Sequence, residues 1–221
     1  MNILVTAGPT REYFDPVRFL SNPSSGKMGF ALAESALAKK NDVTLISGPT
    51  ALEVAHGIRR GRRSLRFIPV VSAEEMYRAV MKAAPAMDLI IMCAAVSDYR
   101  PQKRYSRKVK KDGRSLVLNL VPTRDILLTL GKRKKRGQIL VGFAAETHDV
   151  EANARKKLIK KNLDWIVANR VGKKGGGFES DVNEALLLSK SGFKIPLASM
   201  SKRRMASRIL EWVLSQCHAT V

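Results

Sequence analysis

The chain lacks most of what would mark a secreted, zinc-binding or membrane protein. It has only two cysteines, Cys93 and Cys217, and they lie far apart. A disulfide framework is therefore not expected, and a cytoplasmic setting is. Three histidines, His56, His148 and His218, show no ligand spacing, which argues against a zinc site. No stretch approaches the roughly 20 apolar residues of a membrane span. The first residues run straight into an apolar segment, so no signal peptide is expected either. Aromatics make up 6% of the residues, and acidic side chains are scarce, with 19 Asp and Glu against 40 Lys and Arg and a net charge of +21. That balance points to acidic partners or to a host whose proteins are generally basic. Two runs stand out, Arg59–Arg66 and Lys132–Arg136. Nucleic acid is one reading of them. No aromatic interleaves with the runs as a single-strand platform requires, so solvated loops and helix ends are the favoured reading.

The 221 residues, 45% of them hydrophobic, suit a single α/β domain over residues 1–221. Short apolar runs at Ile3–Ala7, Asp42–Ile46, Leu65–Val70 and Leu89–Ala94 read as strands buried on both faces. Helices are expected at Gly26–Lys39 and at Ala73–Ala84, the latter opened by Ser72 and Glu75 as a capping box. This alternation predicts a Rossmann-like, mostly parallel sheet flanked by helices. Further along, Lys108–Lys111 and Leu116–Val121 flank Asp112-Gly113, which predicts a β-hairpin flap. Helices at Arg124–Lys135 and Val150–Lys161 alternate with strands at Ile139–Phe143 and Trp165–Ala168. Gly172–Gly177 reads as a loop, Glu184–Ser189 and Phe193–Pro196 as a second hairpin, and Lys202–Gln216 as a final amphipathic helix.

The segment from Ala7 to Gly29 is the most informative. It joins a strand to a helix, carries Arg11, Arg18, Asn22 and Lys27, and is far longer than the usual connection of about 2–6 residues. A helix N-terminus beyond a Gly/Pro/Ser loop is an anion site. Generic nucleotide motifs fit it badly. Gly8 stands without the further glycines of a dinucleotide fingerprint, and in Ser25-Gly26-Lys27 the P-loop's Ser/Thr is replaced by Met28. The Cys93–Arg100, Gly142–Thr147 and Ala168–Arg170 segments also fall at strand ends, where open α/β sheets bind ligands.

Together the Ala7–Gly29 loop, Cys93–Arg100, Lys108-Val-Lys-Lys111, Asp125-Ile-Leu127, Gly142–Thr147, Lys161–Asp164 and Gly177–Asp181 resemble phosphopantothenoylcysteine synthetase, in the family's order and over most of the chain. The chain starts at that family's first strand and so looks like a free-standing synthetase without a flavin domain. The resemblance implies ligation of 4′-phosphopantothenate and L-cysteine in coenzyme A biosynthesis, driven by CTP through an acyl-cytidylate, with CMP and pyrophosphate released. It implies Mg2+ on the triphosphate, with Asp98 and Asp125 as candidate ligands and neither assigned. It also implies a homodimer in which the flap helps complete the partner's site. By the same resemblance Lys108 holds the triphosphate, and Lys157, Lys161 and Asp98 contact the nucleotide. Phe143 and the backbone of Met92, Cys93 and Ala94 surround the base. Asn22 and Arg18 bind or convert the acyl intermediate. The chain departs from the family at Thr123-Arg124-Asp125, where a proline is usual before the aspartate, and at Asn169-Arg170, where Asn-Asp is common. A basic nucleic-acid-binding protein and an NAD(P)-dependent oxidoreductase are the rival readings.

Overall fold

The computed structural model describes residues 1–52, 59–60, 63–170 and 182–217. The expected loop at Gly172–Gly177 and the Gly177–Asp181 motif lie outside the described residues. In chain order the elements are β1 (Asn2–Ala7), β2 (Arg11–Tyr13), β3 (Phe19–Ser21), α1 (Lys27–Ala38), β4 (Asp42–Ser47), β5 (Arg59–Arg60), β6 (Arg63–Pro69), α2 (Ala73–Ala83), β7 (Leu89–Met92), β8 (Tyr99–Pro101), β9 (Leu120–Pro122), α3 (Ile126–Arg133), β10 (Ile139–Glu146), α4 (Val150–Lys160), β11 (Trp165–Arg170), β12 (Val182–Ser189), β13 (Lys194–Ser201) and α5 (Lys202–Cys217).

The main sheet runs β13-β12-β11-β10-β7-β1-β4-β6-β5. From β6 to β11 every pairing is parallel, whereas β12 and β13 add an antiparallel edge to β11 and β5 adds a short antiparallel edge to β6. The strands alternate between two apolar layers, as a two-residue side-chain period requires. Ile3, Val5 and Ala7 face α1 and α5, while Leu4 faces the layer that contains α2, α3 and α4 residues. Helices on both faces of a parallel core match the expected class.

Two glycines bring the long loop close to the sheet. Gly8 takes φ +71°, in the left-handed region. A Cβ on Gly29 would sit 2.5 Å from the Cβ of Ala7, so the first turn of α1 lies directly on the end of β1. Capping sets the other helix starts. Ser72 accepts from Glu75 N, while the Glu75 carboxylate reaches back to Val71 N at 2.8 Å. Asp125 is the N-cap of α3 and accepts from Leu128 N, so this helix starts at Ile126, without the family's proline.

The flap is not the expected hairpin. Lys108–Lys111 and Leu116–Asn119 form no strand. The paired strands are β8 and β9 at its base, and 102–119 is an irregular excursion. Asp112 does make its turn, accepting from Arg114 N with Gly113 at φ +85°. The flanking residues, however, are almost all exposed, Val117 at 78%. A two-stranded ribbon with no apolar layer beneath it is marginal in water. The sequence reading also missed the small β2–β3 hairpin inside the long loop.

Candidate active site

A cleft of about 480 Å3 opens beyond the carboxyl ends of the parallel strands. Of the residues singled out from sequence, Asn22, Met92, Cys93, Ala94, Asp98, Phe143, Lys157 and Lys161 line it. Arg18 and Lys108 do not. The cleft thus gathers segments from the first loop, β7, β10 and α4.

The wall at β7 is hydrogen-bonded to the end of β1 and the residue after it. Thr6, wholly buried, accepts from both Cys93 N and Ala94 N through Oγ1 at 3.1 Å. Ala95 N donates to Gly8 O at 2.9 Å. These N–H groups are therefore engaged, and a base read by this segment must present donors to its carbonyls. Asn22 donates through Nδ2 to Ala95 O and Val96 O, at 3.1 and 3.2 Å. Carbonyls only accept, so the amide NH2 must face them. Its Oδ1 remains, with no donor on it among the described residues.

The cationic side of the cleft is already partnered. Lys157 pairs with Glu146 at 2.6 Å and Lys161 with Asp125 at 2.8 Å. Asp98, by contrast, is exposed and its carboxylate has no hydrogen bond or ion pair among the described residues. Arg124 lines the cleft but lies over the Tyr77 ring and pairs with Glu74 on α2. Sequence reasoning missed Asn183 and Lys202, and it gave Glu146 no role of its own within Gly142–Thr147. Lys202 lines the cleft at the start of α5 and is nearly buried. Its only sequence signal is a cation opening the last helix. Burial pushes the Cys93 thiol up to about 12, and the nearby Lys202 ammonium only partly offsets this.

Arg18 is held away from the cleft by Asp15, with Nη2 to Oδ2 at 2.6 Å. Burial alone would raise the Asp15 pKa. The Arg18 guanidinium and the N–H groups of Val17, Arg18 and Val109 nonetheless hold it well below the usual carboxylate range. The Asp15 charge therefore favours the folded state above an ordinary carboxylate pKa of about 4, and that contribution is lost as pH falls further.

The basic runs need one correction. Lys134 is not solvated: its side chain is 12% exposed and donates to both Asp164 oxygens and to Asn162 O. Lys135 donates to Pro85 O. Part of Lys132–Arg136 thus ties the end of α3 to neighbouring segments. Of Arg59–Arg66, the side chains of Arg59, Arg60 and Arg63 and all of Gly61 and Arg62 lie outside the described residues.

The family described as the DNA/pantothenate metabolism flavoprotein C-terminal domain matches residues 1–217. The chain belongs to this family. It is 48% identical over 210 residues to the coenzyme A biosynthesis bifunctional protein CoaBC of Bacillus subtilis (strain 168), covering 95% of this chain and 50% of the relative. The Vibrio cholerae protein of the same name is 46% identical over 97% of this chain and 52% of its own length. The chain thus spans about half the length of these curated relatives. The crystal structure of the C-terminal domain of CoaBC superposes with a TM-score of 0.80 at 41% identity, covering 99% of this chain and 96% of that one. A complex of Cab2 mutant H337A with phosphopantothenate-cysteine shares the fold, at TM-score 0.75 and 18% identity. Among the described residues no helix is long and apolar enough to cross a membrane.

Proposed function

We propose that the protein joins 4′-phosphopantothenate and L-cysteine by an amide bond, using CTP and passing through an acyl-cytidylate, in coenzyme A biosynthesis. One observation carries this reading: residues matched to the synthetase from separate segments of the sequence converge on one cleft at the strand ends. The phosphopantothenate carboxylate attacks the CTP α-phosphate, and pyrophosphate leaves. The cysteine amine then attacks the acyl carbon, CMP leaves, and the amine proton is lost. Both substrates are anionic, so cations must bring them together and neutralise charge as it develops. Lys157 and Lys161 serve this role by exchanging Glu146 and Asp125 for phosphate oxygens. The carbonyls after β7 suit the exocyclic amine of cytosine, a donor. Asn22, its NH2 engaged, uses Oδ1 to accept from the incoming cysteine amine. Its part is to orient the nucleophile.

The donor set also fits Mg2+. Among the described residues no group of three or more His, Cys, Asp or Glu could cage a metal. Mg2+ usually binds through substrate phosphates with one or two carboxylates. Asp98 would hold it, because its carboxylate has no partner among the described residues, whereas Asp125 caps α3 by accepting from Leu128 N. The metal would supply neutralisation of the triphosphate. Lys108 completes the site from the flap. Leu116, Val117 and Leu120, exposed at 46%, 78% and 45%, favour a homodimer that covers that flap. The deciding experiment incubates the protein with phosphopantothenate, cysteine and either CTP or ATP. Pyrophosphate release dependent on phosphopantothenate, with CTP far preferred in kcat/KM, is expected; comparable values for the two nucleotides would sink the CTP assignment.

A further inference from the structure

The long first loop and the flap meet at one carboxylate. The Asp15 side chain is fully buried. It accepts from Val17 N and Arg18 N, both at 2.8 Å, within its own turn. It accepts again from the Arg18 guanidinium, Nε at 3.0 Å and Nη2 at 2.6 Å. Its last partner is on the flap: Val109 N, at 3.2 Å. Arg18 Nη2 then donates to Val109 O at 2.7 Å, so both polar groups of Val109 are gripped. Among the described residues, no other hydrogen bond ties residues 106–111 to the rest of the chain. Val109 adjoins Lys108.

We propose that Asp15 is a positioning residue that, through Arg18 and Val109, fixes the flap so that Lys108 is presented to the triphosphate at one place. The inference rests on the reading of Lys108 given above. The chemistry favours a carboxylate at this position. An ionised carboxylate accepts and never donates, which suits the five donors that converge here, two from the guanidinium fork and three backbone N–H groups. An asparagine keeps the shape but turns an NH2 toward donors. Holding the flap in advance also offsets part of the entropy that ordering an exposed segment costs at the moment of reaction. Arg18 thereby acts through the flap, and its lack of contact with the cleft is explained.

The test is a double-mutant cycle between Asp15→Asn and Lys108→Ala, read by single-turnover pyrophosphate release at saturating CTP and by hydrogen exchange at the Val109 amide. Asp15→Asn is expected to slow pyrophosphate release at least tenfold and to speed Val109 exchange. The double variant is expected to be no slower than Lys108→Ala alone, because both changes remove one function. Multiplicative effects would show that Asp15 acts independently of Lys108 and would overturn the proposal. So would unchanged exchange at Val109. If Lys108→Ala alone is silent, the role of Lys108 fails, while the exchange measurement still decides the latch. Should Asp15→Asn not fold, Arg18→Lys keeps the charge but loses the fork that grips Asp15 and Val109 O, and the same slowed step and faster Val109 exchange are expected of it.

Discussion

Met92 and the segment after it are held by the sheet, whereas residues 102–119 are held by a handful of polar contacts. On the first side, every residue of β7 is buried and the following N–H groups are engaged by Thr6 and Gly8. On the second, Lys108 is exposed and, among the described residues, Val109 alone of residues 106–111 is hydrogen-bonded to the rest of the chain. The difference separates two kinds of contribution. A wall built on buried strands fixes where a ligand lies, and changes there register as loss of stability. An exposed flap contributes almost nothing to the fold, and changes there register as loss of chemistry.

The sharpest way to break this contrast is Lys108→Ala. Pyrophosphate release is expected to fall by about 10²–10³, the usual loss of one positioned transition-state donor, while stability moves by less than about 0.5 kcal/mol. Single-turnover kinetics with a urea melt measure both. Normal release would remove Lys108 from the site. Asn22→Ala sits between the two regions. Its amide-forming step is expected to slow by about 10² while activation continues, leaving acyl-cytidylate on the enzyme. Rapid-quench mass spectrometry decides, and the absence of that species in a folded variant that still binds CTP would refute the role.

Thr6→Val tests the wall. It keeps the shape but strips the acceptor from two backbone N–H groups, so a loss of about 1–3 kcal/mol in stability is expected. Unchanged unfolding would mean that the wall does not depend on this hydroxyl. The smallest effect concerns the lysines that already have partners. Glu146→Gln frees Lys157, and CTP affinity by calorimetry is expected to tighten about three- to tenfold, the scale of a partly exposed ion pair near 1 kcal/mol. Weaker binding would show that Glu146 orients Lys157 for the nucleotide.

The sheet was legible because its strands are short apolar runs bounded by polar turns, as at Ile3–Ala7 and Leu89–Met92. The cleft was legible at strand ends for the same reason: topology fixes where those ends gather. The flap was misread because Asp112-Gly113 is a genuine turn whose flanks lack a layer to pack on. The β2–β3 hairpin was missed because its three-residue strands carry little periodicity. Lys202 escaped notice, and Glu146 was given no role of its own, because their place in the site depends on tertiary neighbours. Lys134 was misassigned likewise: within a run of cations, nothing local distinguishes the one that meets Asp164.

The half-buried thiol of Cys93 has a consequence for chemical compatibility. The cleft proposed to admit L-cysteine contains a cysteine of its own. With that thiol pushed up to about 12, it stays protonated at neutral pH. Thiolate is the species that attacks disulfides and is captured by oxidants. Its raised pKa therefore disfavours attack by the Cys93 sulfur on a disulfide. The environment that makes Cys93 useful as packing also makes it inert.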